Sequence, residues 1–275
     1  MRRNSLGRVT AWLVTLIILF VFNFPLLNTV LTSLKDPMTI AQFPPVWVFQ
    51  PTLENYRAIF SDPTIPFQRY LFNSVIISLG SAALTLIVSL PAGYAMGRLG
   101  VGRRVVLPVV ASLRAIPYII FAIPIYIMFQ RAGLIDSYPA LILINTAINV
   151  PLAVVLFTTY LQEIPEVLEE AAVLDGGSPW QIFRYIIIPL SRPIMASVII
   201  LTAIMTWNEF LFGLILSVER VTPVTVGTTM YITSWTIKWG NIAAAMTLGV
   251  LPSLILCLTA QRLIVRGLTA GAVKG

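Results

Sequence analysis

Long apolar runs separated by short polar breaks dominate this chain. There are 26 uncharged residues between Arg8 and Lys35, 28 between Arg69 and Arg98, 26 between Asp136 and Glu163, and 23 between Lys238 and Arg262. Each run exceeds the roughly 20 residues that cross a bilayer as a helix. Two further apolar stretches each carry one charge, Arg114 within Val105–Gln130 and Glu209 within Pro193–Val218. With both taken as spans, the pattern predicts an all-α membrane protein with six transmembrane helices. They fall near residues 9–31, 71–97, 105–130, 139–160, 193–217 and 242–264.

The polar breaks differ in character. Segment 33–70 is rich in proline and aromatics (Phe43-Pro44-Pro45, Trp47, Phe49, Pro51), which suits a packed cap at the membrane boundary. Its aromatics read equally as headgroup anchors or as ligand contacts, and "PTLENYRAIF" reads as a short amphipathic helix. The link RLGVGRR, 98–104, has room only for a tight basic turn.

The stretch 161–192 is the exception. Pro165 suits the first turn of a helix, and Glu166, Glu169 and Glu170 sit near the positive end of its dipole. Ala171 and Ala172 keep one face thin, and Gly176-Gly177 ends the helix. Ser178-Pro179-Trp180-Gln181 has the form of a capping box. Ile182, Phe183, Ile186 and Ile187 follow at helical spacing, and Pro189 is expected to stop the second helix. The result is a helix–glycine turn–helix lying on one membrane face. It either merely joins spans four and five or docks a partner, and the thin alanine face favours docking.

Composition agrees with the pattern: 57% of residues are apolar and 11% charged, against about a quarter charged in soluble domains. Eleven Lys and Arg fall in segments on the side of the N-terminus and six on the other, with Arg114 inside a span. The bias predicts cytoplasmic termini, accounts for the net charge of +7, and leaves no need for a nucleic-acid partner. The first apolar run is too long for a signal peptide, and Leu31-Thr-Ser-Leu offers no small-residue cleavage site, so a retained anchor is expected.

Missing residue types exclude several chemistries. With no histidine there is no imidazole base and no histidine metal site. A single cysteine, Cys257, excludes an intrachain disulfide and a thiolate zinc cluster. Lys35, Lys238 and Lys274 are not followed by Ser or Thr, so a phosphate-cradling glycine-rich loop is absent. An enzyme is not expected, nor a cofactor in this chain.

Glu170-Ala171-Ala172, then Gly176 after three residues, then Ile186-Ile187-Ile188-Pro189 after nine more, resembles the EAA signature of ABC-importer membrane subunits. Ile188 stands where Leu is common. Gly177 replaces a more usual Ala, a departure expected to loosen the turn. "RAIPYIIFAIPIYIMFQRAGLIDS", "WNEFLFGLILS" and "QRLIVRGLTAGAVKG" resemble the carbohydrate-uptake class, maltose-type permeases above all. The likeness runs from about Asn73 to the end and matches residues 1–70 in layout only.

This resemblance implies a type I importer fold in a bacterial cytoplasmic membrane. It divides the chain into a first span with an outer loop (1–70), a permease domain (71–265) and a tail (266–275). It makes 161–192 a coupling loop, with Glu170, Ala171, Ala172, Asp175 and Gly176 facing an ATPase subunit. It further implies a second homologous permease, two ATPase subunits that bind ATP and magnesium, and an external solute-binding protein.

Charges at membrane depth are costly and ordinarily face a cavity or a partner. On straight helices Arg114 and Glu209 stand roughly 10 Å apart in depth, so an ion pair requires a broken span, for which Pro117 and Pro124 provide a cause. Arg114, Asn208 and Glu209 either line the translocation path or pack structurally. The same alternatives apply to Trp207, Phe210 and Phe212, which stack on a sugar ring or face the membrane. Competing readings are an ion-coupled transporter, for which only Glu209 supplies an intramembrane carboxylate, a membrane scaffold, and an importer of a non-sugar solute such as a glycerophosphodiester.

Overall fold

A computed structural model gives the fold over residues 5–233 and 236–269, with side chains described from residue 7 and as far as residue 259. Arg2, Arg3 and Lys274 lie outside these residues, as do the end of the expected tail and the side chains of Arg262 and Arg266. Among the described residues the elements are helical, apart from one isolated bridge between Ile232 and Ile237. The chain packs as two compact units, Met1–Gln68 with Gly227–Leu251, and Arg69–Val226 with Pro252–Gly275.

The first unit contains α1 (Ser5–Ser33), α2 (Pro37–Ala41) and α3 (Glu54–Ser61). The side chains of α1 from Val9 to Phe24 are exposed and almost wholly apolar, as befits a surface whose solvent is lipid. The last carbonyls of a helix have no partners within it, and here segment 52–56 supplies them. Asn55 Nδ2 donates to Ser33 O at 2.9 Å and to Lys35 O at 2.7 Å, and Thr52 N–H donates to Leu34 O. Asn55 and Ile59 are the buried face of α3, the amphipathic helix expected in "PTLENYRAIF".

The second unit is built on α4 (Phe67–Gly97) and α7 (Tyr138–Glu163). A Cβ on Gly93 would collide with Phe157, and one on Gly97 would lie 2.8 Å from Thr158 O. Small residues thus let two long helices approach where water cannot drive them together. The span expected at 105–130 is broken. It comprises α5 (Val106–Ser112), a 3-10 turn Leu113–Ala115, a second turn Tyr118–Phe121 and α6 (Ala122–Arg131), with 96° between its halves. The break falls at Ile116-Pro117, since a residue before proline is driven to extended backbone. Pro124 sits in the first turn of α6, where its missing N–H costs nothing.

The next elements are α8 (Val167–Leu174), α9 (Pro179–Ile182), a π-turn over Phe183–Ile187 and α10 (Ile188–Leu190). They lead to α11 (Arg192–Trp207), α12 (Leu211–Leu216), α13 (Val224–Gly227) and α14 (Trp239–Thr269). The continuous helix expected at 193–217 is therefore corrected to two helices with a break at Asn208–Phe210. Among the described residues, four helices are long and apolar enough to cross a membrane, and up to six spans result if each bent pair counts as one.

Between spans, Asp136 organises a loop. Its backbone takes a positive φ of 59°, and its carboxylate accepts N–H from Val218, Glu219, Arg220 and Val221 at 3.0–3.2 Å. Partial burial pushes the Asp136 carboxyl up, but these backbone donors outweigh it and hold it below the usual carboxylate range.

Candidate functional site

The hairpin at 161–192 is ordered by its own sequence. Helix α8 begins at Val167, two residues after Pro165, with Glu169 and Glu170 in its first turn. It ends in a Schellman motif: Gly176 has φ +81°, its N–H donates to Val173 O at 3.0 Å, and Gly177 N–H donates to Ala172 O at 2.8 Å. A Cβ on Gly177 would stand 2.8 Å from Ala172 O. The turn is thus tightened, and the expectation that Gly177 loosens it is corrected. The capping box forms as the sequence implied: Ser178 Oγ accepts from Gln181 N–H, and Gln181 Oε1 from Ser178 N–H at 2.8 Å.

Pro189 does not stop the second helix. Ile188 N–H reaches back five residues to Phe183 O, and the wide π-turn carries the chain past the proline to Leu190. A 70° bend then separates it from α11. Ile182, Phe183 and Ile187 are buried against Leu90, Phe157, Leu161 and Ile194, so α9 is anchored in the core of the second unit. Glu170, Ala171, Asp175 and Gly176 are exposed, and Ala172 is half-buried.

Glu169, the neighbour of the signature glutamate, turns inward. Its Oε1 lies 2.6 Å from Arg98 Nε, and its Oε2 accepts from the Tyr94 hydroxyl at 3.0 Å. Arg98 also donates to Ile164 O at 2.9 Å, and its side chain is 5% exposed. The end of α4 is thereby bolted to the start of α8. The RLGVGRR turn, read as merely basic, had given no sign of this inward arginine; Tyr94 looked like any aromatic in a span.

A second polar cluster lies deeper. A cavity of about 410 Å³ is lined by Arg114, Tyr118, Asn145, Asn149, Asn208 and Glu209 among others. The broken third span brings Arg114 to the same cavity as Glu209, although no ion pair joins them among the described residues. Glu209 has a structural task there: its oxygens accept N–H from Phe212 at 2.8 Å and Gly213 at 3.0 Å, capping α12. Asn208 Nδ2 closes the preceding helix on Ile204 O and reaches Ser253 Oγ at 3.1 Å. Polar side chains that compete for backbone partners break helices in this way.

Asn145 and Asn149 enter the cavity unannounced, although two asparagines four apart in an apolar span were a legible signal. Asn149 Nδ2 donates to Asn145 O at 2.8 Å, and Asn145 Oδ1 has no partner within the described chain. Of the three aromatics considered for stacking, Trp207 and Phe212 are buried and Phe210 is exposed.

Comparison with known proteins places this architecture. Residues 86–269 match the family described as binding-protein-dependent transport system inner membrane component. The trehalose/maltose transport system permease protein MalG of Thermococcus litoralis is 33% identical, with all of both chains covered. The sulfoquinovosyl glycerol transport system permease protein SmoH of Agrobacterium fabrum is 32% identical over 92% of this chain and 89% of the relative. Among solved structures, a chain from a bacterial ABC transporter involved in import of the acidic polysaccharide alginate superposes with a TM-score of 0.78. It is 21% identical and is matched over 95% of this chain and 98% of its own, which shows the fold. The ion-coupled and scaffold readings fall away. The chain belongs to the binding-protein-dependent inner membrane components, the multi-pass permease subunits of ABC importers, and has their type I fold.

Proposed function

We propose that this chain forms half of the translocation path for a sugar, a di- or oligosaccharide, delivered by an external binding protein. Two separate ATPase subunits bind ATP and magnesium, dock on the 161–192 hairpin and drive alternating access; a second homologous permease completes the path. The chain itself is non-catalytic, and both its termini are cytoplasmic.

The observation that carries this reading is the exposure of Glu170, Ala171, Asp175 and Gly176 on a hairpin whose other face is locked into the second unit. A surface that is exposed outward, with Val173, Leu174 and Trp180 beside the two acids, and rigidly anchored inward transmits a push. Relatives named for trehalose and maltose, for sulfoquinovosyl glycerol and for arabinooligosaccharides support a carbohydrate cargo. So does the cavity, where amides, a carboxylate and a guanidinium offer the donors and acceptors that hydroxyls need.

Reconstitution tests it. Vesicles holding the co-purified complex should couple sugar flux to ATP hydrolysis only when the binding protein is present. Sugar flux through this chain alone would refute it.

A further inference from the structure

Lys35 lies two residues beyond α1, and it is only 7% exposed. Long basic side chains at span ends ordinarily extend to water; this one is folded inward. Its Nζ stands 5.1 Å from the Phe49 ring centroid and 5.5 Å from that of Trp47, so two rings take the place of solvent. No carboxylate pairs with it among the described residues, where ion pairs join Arg98 to Glu166 and Glu169, and Lys238 to Asp62. Neighbouring Asp36 is committed elsewhere, accepting from Met38 N–H, Thr39 N–H and the Thr39 hydroxyl as the cap of α2.

Lys35 lines a cavity of about 330 Å³ together with Asn28, Thr32, Phe24 and Trp47, and Trp47 is one of the two rings beside its ammonium. Asn28, Thr32 and Lys35 recur on one face at helical spacing. Thr29 bonds back to Pro25 O at 2.9 Å, but neither Asn28 nor Thr32 makes a side-chain hydrogen bond among the described residues. An amide, a hydroxyl and a buried cation therefore face one space that contains no acid. That set complements a phosphate group, whose oxygens take charge-assisted hydrogen bonds. The depth also fits: the 27-residue span Gly7–Ser33 extends about 40 Å against a hydrocarbon core of about 30 Å. The end of α1 thus lies among headgroups.

We propose that this pocket binds a phosphate ester, supplied by the headgroup of an acidic phospholipid. Lys35 pairs with the phosphate, Asn28 and Thr32 bond its oxygens, and the Phe24 and Trp47 rings cover the glycerol carbons. A water-soluble phosphate ester offers the same chemistry from another source, so the test distinguishes the two.

The full chain with its co-purifying subunits is placed in nanodiscs of phosphatidylcholine alone or mixed equally with phosphatidylglycerol, and retained lipids are counted by native mass spectrometry. Wild type should retain one more phosphatidylglycerol than Lys35→Met, whose occupancy falls about fivefold. Asn28→Ala should give an intermediate loss and replaces the first variant if that one assembles poorly. Glycerol 1-phosphate added to pure phosphatidylcholine discs, retained by wild type but not by Lys35→Met, would support the chemistry and assign the soluble source. Equal retention of both probes by wild type and variants, or retention of phosphatidylcholine as firmly as phosphatidylglycerol, would overturn the proposal.

Discussion

Arg98 Nε at the end of α4 lies 2.6 Å from Glu169 Oε1 in the first turn of α8, with the two side chains 5% and 17% exposed. This ion pair lies on the unit's inner side, and Glu170, one residue on, faces outward. One helical turn therefore holds one acid anchored and leaves the next exposed, free for the docking proposed above. Force applied to Glu170 has a direct route into a membrane span through its neighbour.

Removing Arg98 should therefore uncouple the complex while leaving it assembled. Breaking one side of a buried pair costs about 3–5 kcal/mol, somewhat less here because Glu169 is partly wet. Arg98→Met should lower the thermal midpoint and reduce sugar flux at least tenfold, with ATPase subunits still co-purifying. Glu169→Met in the same chain should recover part of the stability, since the pair is then absent on both sides. Full flux from the single variant would show that the clamp transmits nothing.

Glu170→Lys tests the outward face. Because Glu170 is exposed and its side chain holds no partner within the chain's described hydrogen bonds and ion pairs, stability should change by less than about 0.5 kcal/mol. Uptake should nevertheless be abolished, with normal protein in the membrane. Normal uptake would remove Glu170 from the docking surface.

The turn itself can be probed at its two glycines. Gly176→Ala forces a side chain into φ +81° and Gly177→Ala presses a Cβ on Ala172 O. The left-handed strain alone costs about 1–2 kcal/mol. Both variants should lose uptake, and Gly176→Asn should keep more of it than Gly176→Ala, since Asn tolerates that region. If both alanine variants transport as wild type, the turn geometry is not needed for coupling.

Within the cavity, the cap that Glu209 makes can be separated from its charge. Glu209→Ala removes the acceptors of Phe212 and Gly213 N–H, and loss of such a cap costs about 1 kcal/mol. Glu209→Gln keeps one acceptor oxygen and removes the charge. The alanine variant should reduce the yield of assembled complex, and glutamine should assemble well but carry less sugar per ATP hydrolysed. Wild-type flux in Glu209→Gln would leave capping as its whole contribution.

Asp136 predicts a pH dependence. Its folded carboxyl titrates below the unfolded value of about 3.9, so its stabilisation is complete above that value and is lost as pH falls through the folded one. Asn tolerates the positive φ, so Asp136→Asn isolates the charge. It should cost about 1–2 kcal/mol at pH 7, discounted for partial exposure, and the gap in thermal midpoint from wild type should narrow toward pH 3. A gap that is constant with pH would place the effect in shape rather than charge.

Features that arise from local pattern were legible in the amino-acid order. Run length marked the spans, because a bilayer imposes its thickness on any helix that crosses it. Gly176-Gly177 and Ser178 to Gln181 announced the turn and cap, because both motifs satisfy backbone groups within a few residues. Tertiary structure decided the features that depend on distant partners. Straight-helix reckoning set Arg114 and Glu209 at different depths, whereas two broken spans put them on one cavity. The break at Asn208–Phe210 needed a carboxylate to turn back on Phe212 and Gly213, a choice no apolar run reveals. Pro189 looked like a stop until the π-turn before it made room. Arg98 looked like turn decoration until α4 and α8 met. A side chain's neighbours along the chain specify its helix; its neighbours in space specify whether its charge anchors, caps or waits for a partner.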